Sequence, residues 1–230
     1  MCTARRRIEP RIDWREIDTV LLDMDGTLLD KHFDDYFWLR FVPENYSLKY
    51  GGSIEEAQDK LHAMFRAMEG TLDWTDLDYW SRELGLDIPA LKVQVDHLIQ
   101  VHPFVVEFLD FCQKAGKQVH LVTNAHSKTL AIKMKKTALG GLFGRIVCAE
   151  EVGMAKEEPR FWAKLMEIIP YDRKRTLLAD DTEAVLDSAN RHGIRHLIYV
   201  ARPSSRTEIR YSAAYPSIIY FKELMGFPSA

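Results

Sequence analysis

Five short apolar runs stand out along the chain: Thr19 to Leu22, Gln118 to Val122, Arg145 to Val147, Thr176 to Ala179 and His196 to Val200. Their length and weak polar alternation predict buried strands of a parallel sheet covered on both faces. Between most of them apolar positions recur at helical spacing. Phe104, Phe108, Phe111 and Cys112 do so behind Pro103, expected in the first turn, with Gly116 as the stop. Leu130, Met134 and Ala138 repeat likewise before Gly140, and Phe161, Trp162, Leu165, Met166 and Ile169 behind Pro159. Strand and helix alternating in this way predict an α/β fold built on an open, doubly wound parallel sheet.

Roughly ninety residues separate the first strand from the second, more than one crossover connection needs. The surplus reads as an inserted α-helical cap. Within it Phe33, Tyr36, Phe37 and Arg40 share one face, and Ile54, Ala57, Leu61, Met64, Phe65 and Met68 another. Trp74 to Leu84, stopped by Gly85, and Pro89 to Ile99 follow as two further helices. The expected division is a core of residues 1–29 and 103–230 and a cap of residues 30–102. Beyond Val200 the periodicity dissolves, leaving one weak amphipathic stretch near Phe221 to Met225.

Composition narrows the function classes. The 230 residues are 47% hydrophobic, enough for a sizeable core, and 31 basic against 34 acidic side chains leave a net charge of −3. No basic stripe suits a nucleic-acid polymer, so none is expected as partner. Cys2, Cys112 and Cys148 show no paired spacing, which argues against a disulfide framework or structural zinc and for a reducing cytoplasm. Arg5, Arg6, Arg7 and Arg11 near the start precede no apolar stretch of the secretory kind, and no segment approaches the roughly 18 apolar residues of a membrane span. A soluble cytoplasmic protein without a membrane partner is expected, as a monomer or weak homodimer.

In an open parallel sheet ligands sit beyond the carboxyl ends of the strands, so the residues following each strand carry the information. The first strand runs into Asp23-Met24-Asp25-Gly26-Thr27, the second into Thr123-Asn124 and the fourth into Asp180-Asp181-Thr182, while Lys156 follows the third by a loop. Asp23 and Asp25 share a face of an extended segment and repel unless a cation or proton intervenes. With Asp181 added, the cluster calls for a hard divalent ion with open positions for phosphate oxygens, the coordination habit of magnesium. Gly26 permits a sharp backbone departure, and Thr27 can donate to a nearby oxygen. One Asp-rich turn is often no more than a polar cap. Four motifs in order, each at a strand end, point to catalysis.

These residues make the chain resemble hydrolases of the haloacid dehalogenase superfamily with a helical cap inserted after the first motif, over about Asp18 to Val200. The resemblance implies a Rossmann-like core and an aspartyl-phosphate mechanism. In it Asp23 is the nucleophile, Asp25 the acid and base, Thr123 a phosphoryl binder and Lys156 the countercharge. Asp23, Asp25, Asp180 and Asp181 surround magnesium. An acid at Asp25 is implied for phosphatases and phosphosugar mutases, and is lacking in the family's dehalogenases and pump ATPases.

The chain is more particularly similar to bacterial GMP/IMP nucleotidases. That similarity rests on Asp18 through Asp30, on Thr123-Asn124-Ala125-His126, on Glu183-Ala184 and Leu186-Asp187, and on pieces of the cap. The cap pieces are Phe33-Asp34, Tyr36-Phe37-Trp38, Leu77-Asp78-Tyr79-Trp80-Ser81 and Leu84-Gly85-Leu86-Asp87-Ile88. It implies a magnesium-dependent phosphomonoesterase for purine nucleoside 5'-monophosphates. Thr123, Asn124 and Lys156 would bind the phosphate, and one or two of Phe33, Tyr36 and Trp38 would stack on the base. Two departures stand out, Lys156-Glu157-Glu158-Pro159 and Ala179-Asp180-Asp181-Thr182, and neither removes a needed charge. Asp181 is the expected direct metal ligand, with Asp180 acting through water or on Lys156.

Two rivals remain open. A phosphosugar mutase or another small-metabolite phosphatase would share every core motif and is separated by its product. A catalytically idle binding or scaffold protein is opposed by intact Asp23, Asp25, Thr123 and Lys156. Among weaker signals, His126 reads either as a substrate contact or as a helix start. Gly140, Gly141 and Gly144 read as a turn, because no lysine and hydroxyl follow in phosphate-loop spacing.

Overall fold

The computed structural model describes residues 7–68 and 70–226; Cys2, Arg5 and Arg6 lie outside the described residues. Strand β1 (Thr19–Leu22) lies inside a six-stranded sheet with β2 (Gln118–Thr123), β3 (Arg145–Cys148), β4 (Thr176–Asp180), β5 (His196–Val200) and β6 (Ser217–Ile218). The order is β3-β2-β1-β4-β5-β6 and every pairing is parallel. Side chains alternate between the faces. Val20, Leu22 and Leu121 pack into one apolar layer, Leu21, Val122 and Leu178 into the other. Leu22 pairs with both Leu121 and Ala179, so Asp23 leaves β1 beside the last residues of β2 and β4.

Between β1 and β2 the chain forms α1 (His32–Tyr36), a π-helical turn (Phe37–Phe41), α2 (Val42–Tyr50), α3 (Ile54–Met68), α4 (Leu77–Leu84) and α5 (Ile88–Gln94). Asp76 caps α4 by accepting from the Asp78 and Tyr79 amides, and Asp87 caps α5 by accepting from Ala90. The cap of Asp76 also sets the start of α4 at Leu77, past the Trp74 that the periodicity predicts. The two segments that lead into and out of this helical insert run side by side: the Asp30 amide donates to Gln100 O and the His102 amide to Leu28 O, both at 2.9 Å.

The remaining helices are α6 (Val105–Lys114), α7 (Ser127–Thr137), α8 (Ala149–Val152), α9 (Phe161–Ile168) and α10 (Glu183–His192). Pro103 is not in the first turn of α6. Phe104 precedes that helix in a left-handed conformation, φ 68°, because the chain turns out of the linker pair there. Helix α7 stops at Ala138, φ 57°, whose amide donates to Met134 O, rather than at Gly140. The tail is more ordered than its pattern suggests. β6 is too short for a periodicity signal, and a 3₁₀ turn over Phe221–Leu224 stacks Phe221 on Phe108 at 4.6 Å between ring centroids. Trp14 Nε1 donates to Leu224 O at 2.7 Å. Cys112 and Cys148 are buried free thiols. Among the described residues no helix is long and apolar enough to cross a membrane.

Candidate active site

The floor of the site follows from the strand register. Asp23, at the end of β1, is buried, and its amide donates to Ala179 O at 3.1 Å. The chain then doubles back: the Leu28 and Leu29 amides both donate to Met24 O, and the Gly26 amide to Leu29 O. Gly26 has φ +89°, and a Cβ there would lie 2.5 Å from Asp181 Oδ2 and 2.9 Å from Pro203 Cβ. Only glycine lets this turn and Asp181 occupy the same corner. Thr27, expected to donate to a neighbour, instead has a buried Oγ1 without a partner among the described residues.

Lys156 reaches the floor from the loop beyond β3 and is 2% exposed. Its Nζ donates to Asp23 Oδ1 at 2.5 Å and to Asp180 Oδ2 at 2.7 Å. Burial works against this ammonium, yet Asp180 and Asp23 outweigh it and hold Lys156 far above its ordinary range. Asn124 fixes the loop: its Oδ1 accepts from the Lys156 amide at 3.0 Å, and its Nδ2 donates to Glu157 at 2.9 Å. Thr123 is buried at the end of β2, with Oγ1 accepting from the Ala125 amide at 3.0 Å.

Asp23, Asp180 and Asp181 bring carboxylate oxygens within 4.8 Å of one another. Burial, reinforced by Asp23 and Asp181 and opposed by Lys156, pushes Asp180 up to about 8. Asp181 is raised by burial as well, although Lys31 Nζ lies 3.2 Å from it. Asp25, grouped with these carboxylates on sequence, is not among them. Its Oδ1 accepts instead from Lys133 Nζ at 2.6 Å, and burial raises its carboxyl to about 6 against the pull of Lys133.

Lys133 opens a second cluster that the strand-end reading missed. Its Nζ also donates to Asp34 Oδ2 at 2.6 Å, and Lys92 Nζ donates to Asp34 Oδ1 at 3.0 Å. Both ammoniums are buried. Burial favours a neutral Asp34, but Lys133 and Lys92 prevail and keep it well below the usual carboxylate range. Lys133 comes from α7, Asp34 from α1 and Lys92 from α5, so the cluster joins a helix beyond β2 to two helices of the insert between β1 and β2. Nothing in the local pattern of α7 separates Lys133 from its exposed neighbour Lys135.

The three aromatic candidates part company here. Trp38 lines the cavity above the floor, whereas Phe33 and Tyr36 do not. Phe33 is 1% exposed, with Lys92 and Lys133 Nζ 4.9 and 5.2 Å from its ring centre; it walls the buried ammoniums instead of meeting a ligand. Tyr36 stacks on Phe41 at 6.2 Å and packs inside the cap. His126 starts α7, its Nδ1 accepting from the Lys128 amide at 3.3 Å, and it also lines the cavity. The cavity measures about 610 Å³, with Asp23, Asp25, Thr123, Asn124 and Lys156 on its core side and residues of α1, α3 and the loop before α4 on its cap side. That size suits a ligand of nucleotide dimensions.

Residues 17–193 match the model of the haloacid dehalogenase-like hydrolases. The chain is 38% identical over 214 residues to the GMP/IMP nucleotidase YrfG of Escherichia coli, covering 93% of this chain and 96% of that one. It is 26% identical over 185 residues to a phosphoglycolate phosphatase of Pseudomonas syringae pv. tomato, covering 76% of this chain and 66% of the other. Among solved structures, a HAD phosphatase from Thermococcus onnurineus superposes with a TM-score of 0.77 at 23% identity, covering 90% of this chain and 96% of that one.

Proposed function

The chain belongs to the haloacid dehalogenase-like hydrolase family, as one of its phosphatases, and from that premise we propose that it hydrolyses purine nucleoside 5'-monophosphates, GMP and IMP foremost, through an aspartyl-phosphate on Asp23. The observation that carries the chemistry is the state of Asp23. One carboxylate oxygen is engaged by Lys156, and the other accepts no hydrogen bond from any described residue at the foot of the cavity. The substrate assignment draws on the similarity to the E. coli nucleotidase, which runs through the cap as well as the core.

The free oxygen of Asp23 bonds to phosphorus while the ester oxygen departs on the opposite side and takes the proton of Asp25. Asp25, now a carboxylate, accepts a proton from the water that attacks the aspartyl-phosphate. The bond between phosphorus and Asp23 then breaks, releasing phosphate and restoring both carboxyl groups. Lys156 offsets the charge on the phosphoryl oxygens, and the Thr123 hydroxyl donates to one of them. Asn124 serves by holding the Lys156 loop.

The donor set fits a hard divalent ion: three carboxylates, Asp23, Asp180 and Asp181, stand against two ammoniums, the buried Lys156 and the partly exposed Lys31, leaving negative charge that the chain itself does not match. Magnesium held by Asp23 and Asp181, with Asp180 tied to Lys156, would neutralise phosphoryl charge. In this reading residues 30–102 are the cap and residues 1–29 and 103–230 the core. The enzyme works in the cytoplasm, as a monomer or weak homodimer, on a small phosphate ester.

A phosphate-release assay over a panel of phosphomonoesters, with magnesium and with chelator, tests the proposal. GMP and IMP should give the highest kcat/KM, and chelation should abolish turnover. Better turnover of hexose phosphates or phosphoglycolate would end the nucleotidase reading, and full activity in chelator would end the metal reading. Asp25→Asn should let the aspartyl-phosphate build up, seen as a phosphate adduct on Asp23 by mass spectrometry after rapid quench.

A further inference from the structure

The cap side of the cavity holds two polar groups that the reaction does not use. His62 and Arg66 lie one helical turn apart on α3, hence on one face, and both line the cavity whose floor is Asp23 and Lys156. His62 Nε2 is shielded from solvent yet has no hydrogen-bond partner among the described residues. Such an atom is costly unless something pairs with it. Arg66 differs from the other cations lining the cavity. Lys31 is paired with Asp181, Lys92 with Asp34, and Lys156 with Asp23 and Asp180. Arg66 has neither an ion pair nor a hydrogen bond with any described residue. Beside this face stand Trp38 and Trp74, both on the cavity wall, with rings 6.4 Å apart and 28° from parallel.

We infer that Arg66 and His62 form the subsite that reads the 6-oxo edge of the purine, and so decide between GMP or IMP and AMP. This rests on the nucleotidase reading above. With phosphate on the floor, the base of a 5'-nucleotide extends toward the cap, where the tryptophans offer it an apolar wall. A 6-oxopurine presents N1–H, O6 and N7 in sequence along one edge. The forked guanidinium of Arg66 donates to O6 and N7 together, as arginine does to guanine elsewhere. His62, in the tautomer that carries its proton on Nδ1, accepts at Nε2 from N1–H. Adenine reverses both signals: its amino group points hydrogens at the guanidinium, and its N1 carries no proton. A site built around hydrogen bonds rejects the ligand that leaves them unmade.

The test is kcat/KM for IMP, GMP, AMP and p-nitrophenyl phosphate with magnesium, in the wild type and in Arg66→Met, Arg66→Glu and His62→Phe. Arg66 is exposed, so its replacement does not disturb the core. The wild type should prefer IMP and GMP to AMP. Arg66→Met should lower the IMP/AMP ratio by about ten- to hundredfold, mainly through the KM of IMP. Arg66→Glu, whose carboxylate accepts from the adenine amino group, should move the ratio further toward AMP, and His62→Phe should lower it less. An IMP/AMP ratio untouched in both Arg66 variants, or an equal loss of kcat on all four esters, overturns this inference and leaves the nucleotidase reading standing. A wild type indifferent between IMP and AMP overturns this inference together with the preference for GMP and IMP, and leaves a purine nucleotidase without that preference. A wild type that prefers sugar phosphates overturns both.

Discussion

Two buried charge clusters lie next to each other and differ in their balance. On the floor, Asp23 and Asp180 share one buried ammonium, Lys156, while Asp181 meets the partly exposed Lys31 at the edge. Behind it, Asp25 and Asp34 share two, Lys133 and Lys92. The consequence is visible in the carboxyl groups: burial and like charge push Asp180 up to about 8, while the half-buried Asp34 is held well below the usual range by its two lysines. An unbalanced cluster is poised for an added cation and a charged substrate. A balanced one is complete in itself; it ties α7 to α1 and α5 of the helical insert and aims Asp25 at the cavity.

The contrast is open to attack from both sides. The largest effect should come from Asp23→Asn, which keeps shape and removes the nucleophile. Phosphate release should fall by roughly 10⁴-fold or more, with no loss of thermal stability in metal-free buffer, since the floor sheds an excess charge. Turnover that persists in rigorously purified protein would place the nucleophile elsewhere. In the balanced cluster the same kind of change should act on folding. Lys133→Met leaves Asp25 without its cation and Asp34 with Lys92 alone, and should cost about 3–5 kcal/mol in urea unfolding; a cost below about 1 kcal/mol would show that the pair is solvated in solution.

Magnesium sharpens the difference between the clusters. At a hundredfold excess over its Kd it should stabilise the wild type by about 2.7 kcal/mol, read as a rise in melting temperature. Asp181→Asn should lose that rise while melting no lower than the wild type in chelator; a full magnesium response in this variant would remove Asp181 from the ion. The smallest effect is expected from Gly26→Ala. A left-handed alanine costs about 1–2 kcal/mol, and its Cβ must displace Asp181. Calorimetric titration should show weaker magnesium binding, and unchanged affinity would mean that the corner yields without moving the carboxylate.

The floor was legible before the fold because its residues follow strands. Asp23, Thr123, Asp180 and Asp181 end or follow apolar runs, and a parallel sheet brings the carboxyl ends of its strands to one edge. Phe33 shows the limit of such reading. An aromatic residue at helical spacing fits a ligand wall and a packed interior equally well, and the choice was made by Lys92 and Lys133, which arrive from α5 and α7. Tyr36 was decided the same way, by its stacking on Phe41.

Local order along the chain thus sufficed for the strands, the helical insert and the gathering of Asp23, Thr123, Asp180 and Asp181 at the strand ends, since each depends on residues close in sequence or on a topological rule common to such sheets. Charge pairing obeys no such rule. That Lys133 is buried against Asp25 and Asp34, that Lys92 completes the cluster, and that Arg66 faces the cavity without a described partner depend on how separate helices pack. A lysine reads alike in a sequence whether water or a carboxylate from a distant helix surrounds it; only the tertiary structure sets that environment, because Coulomb attraction and desolvation act across space and not along the chain.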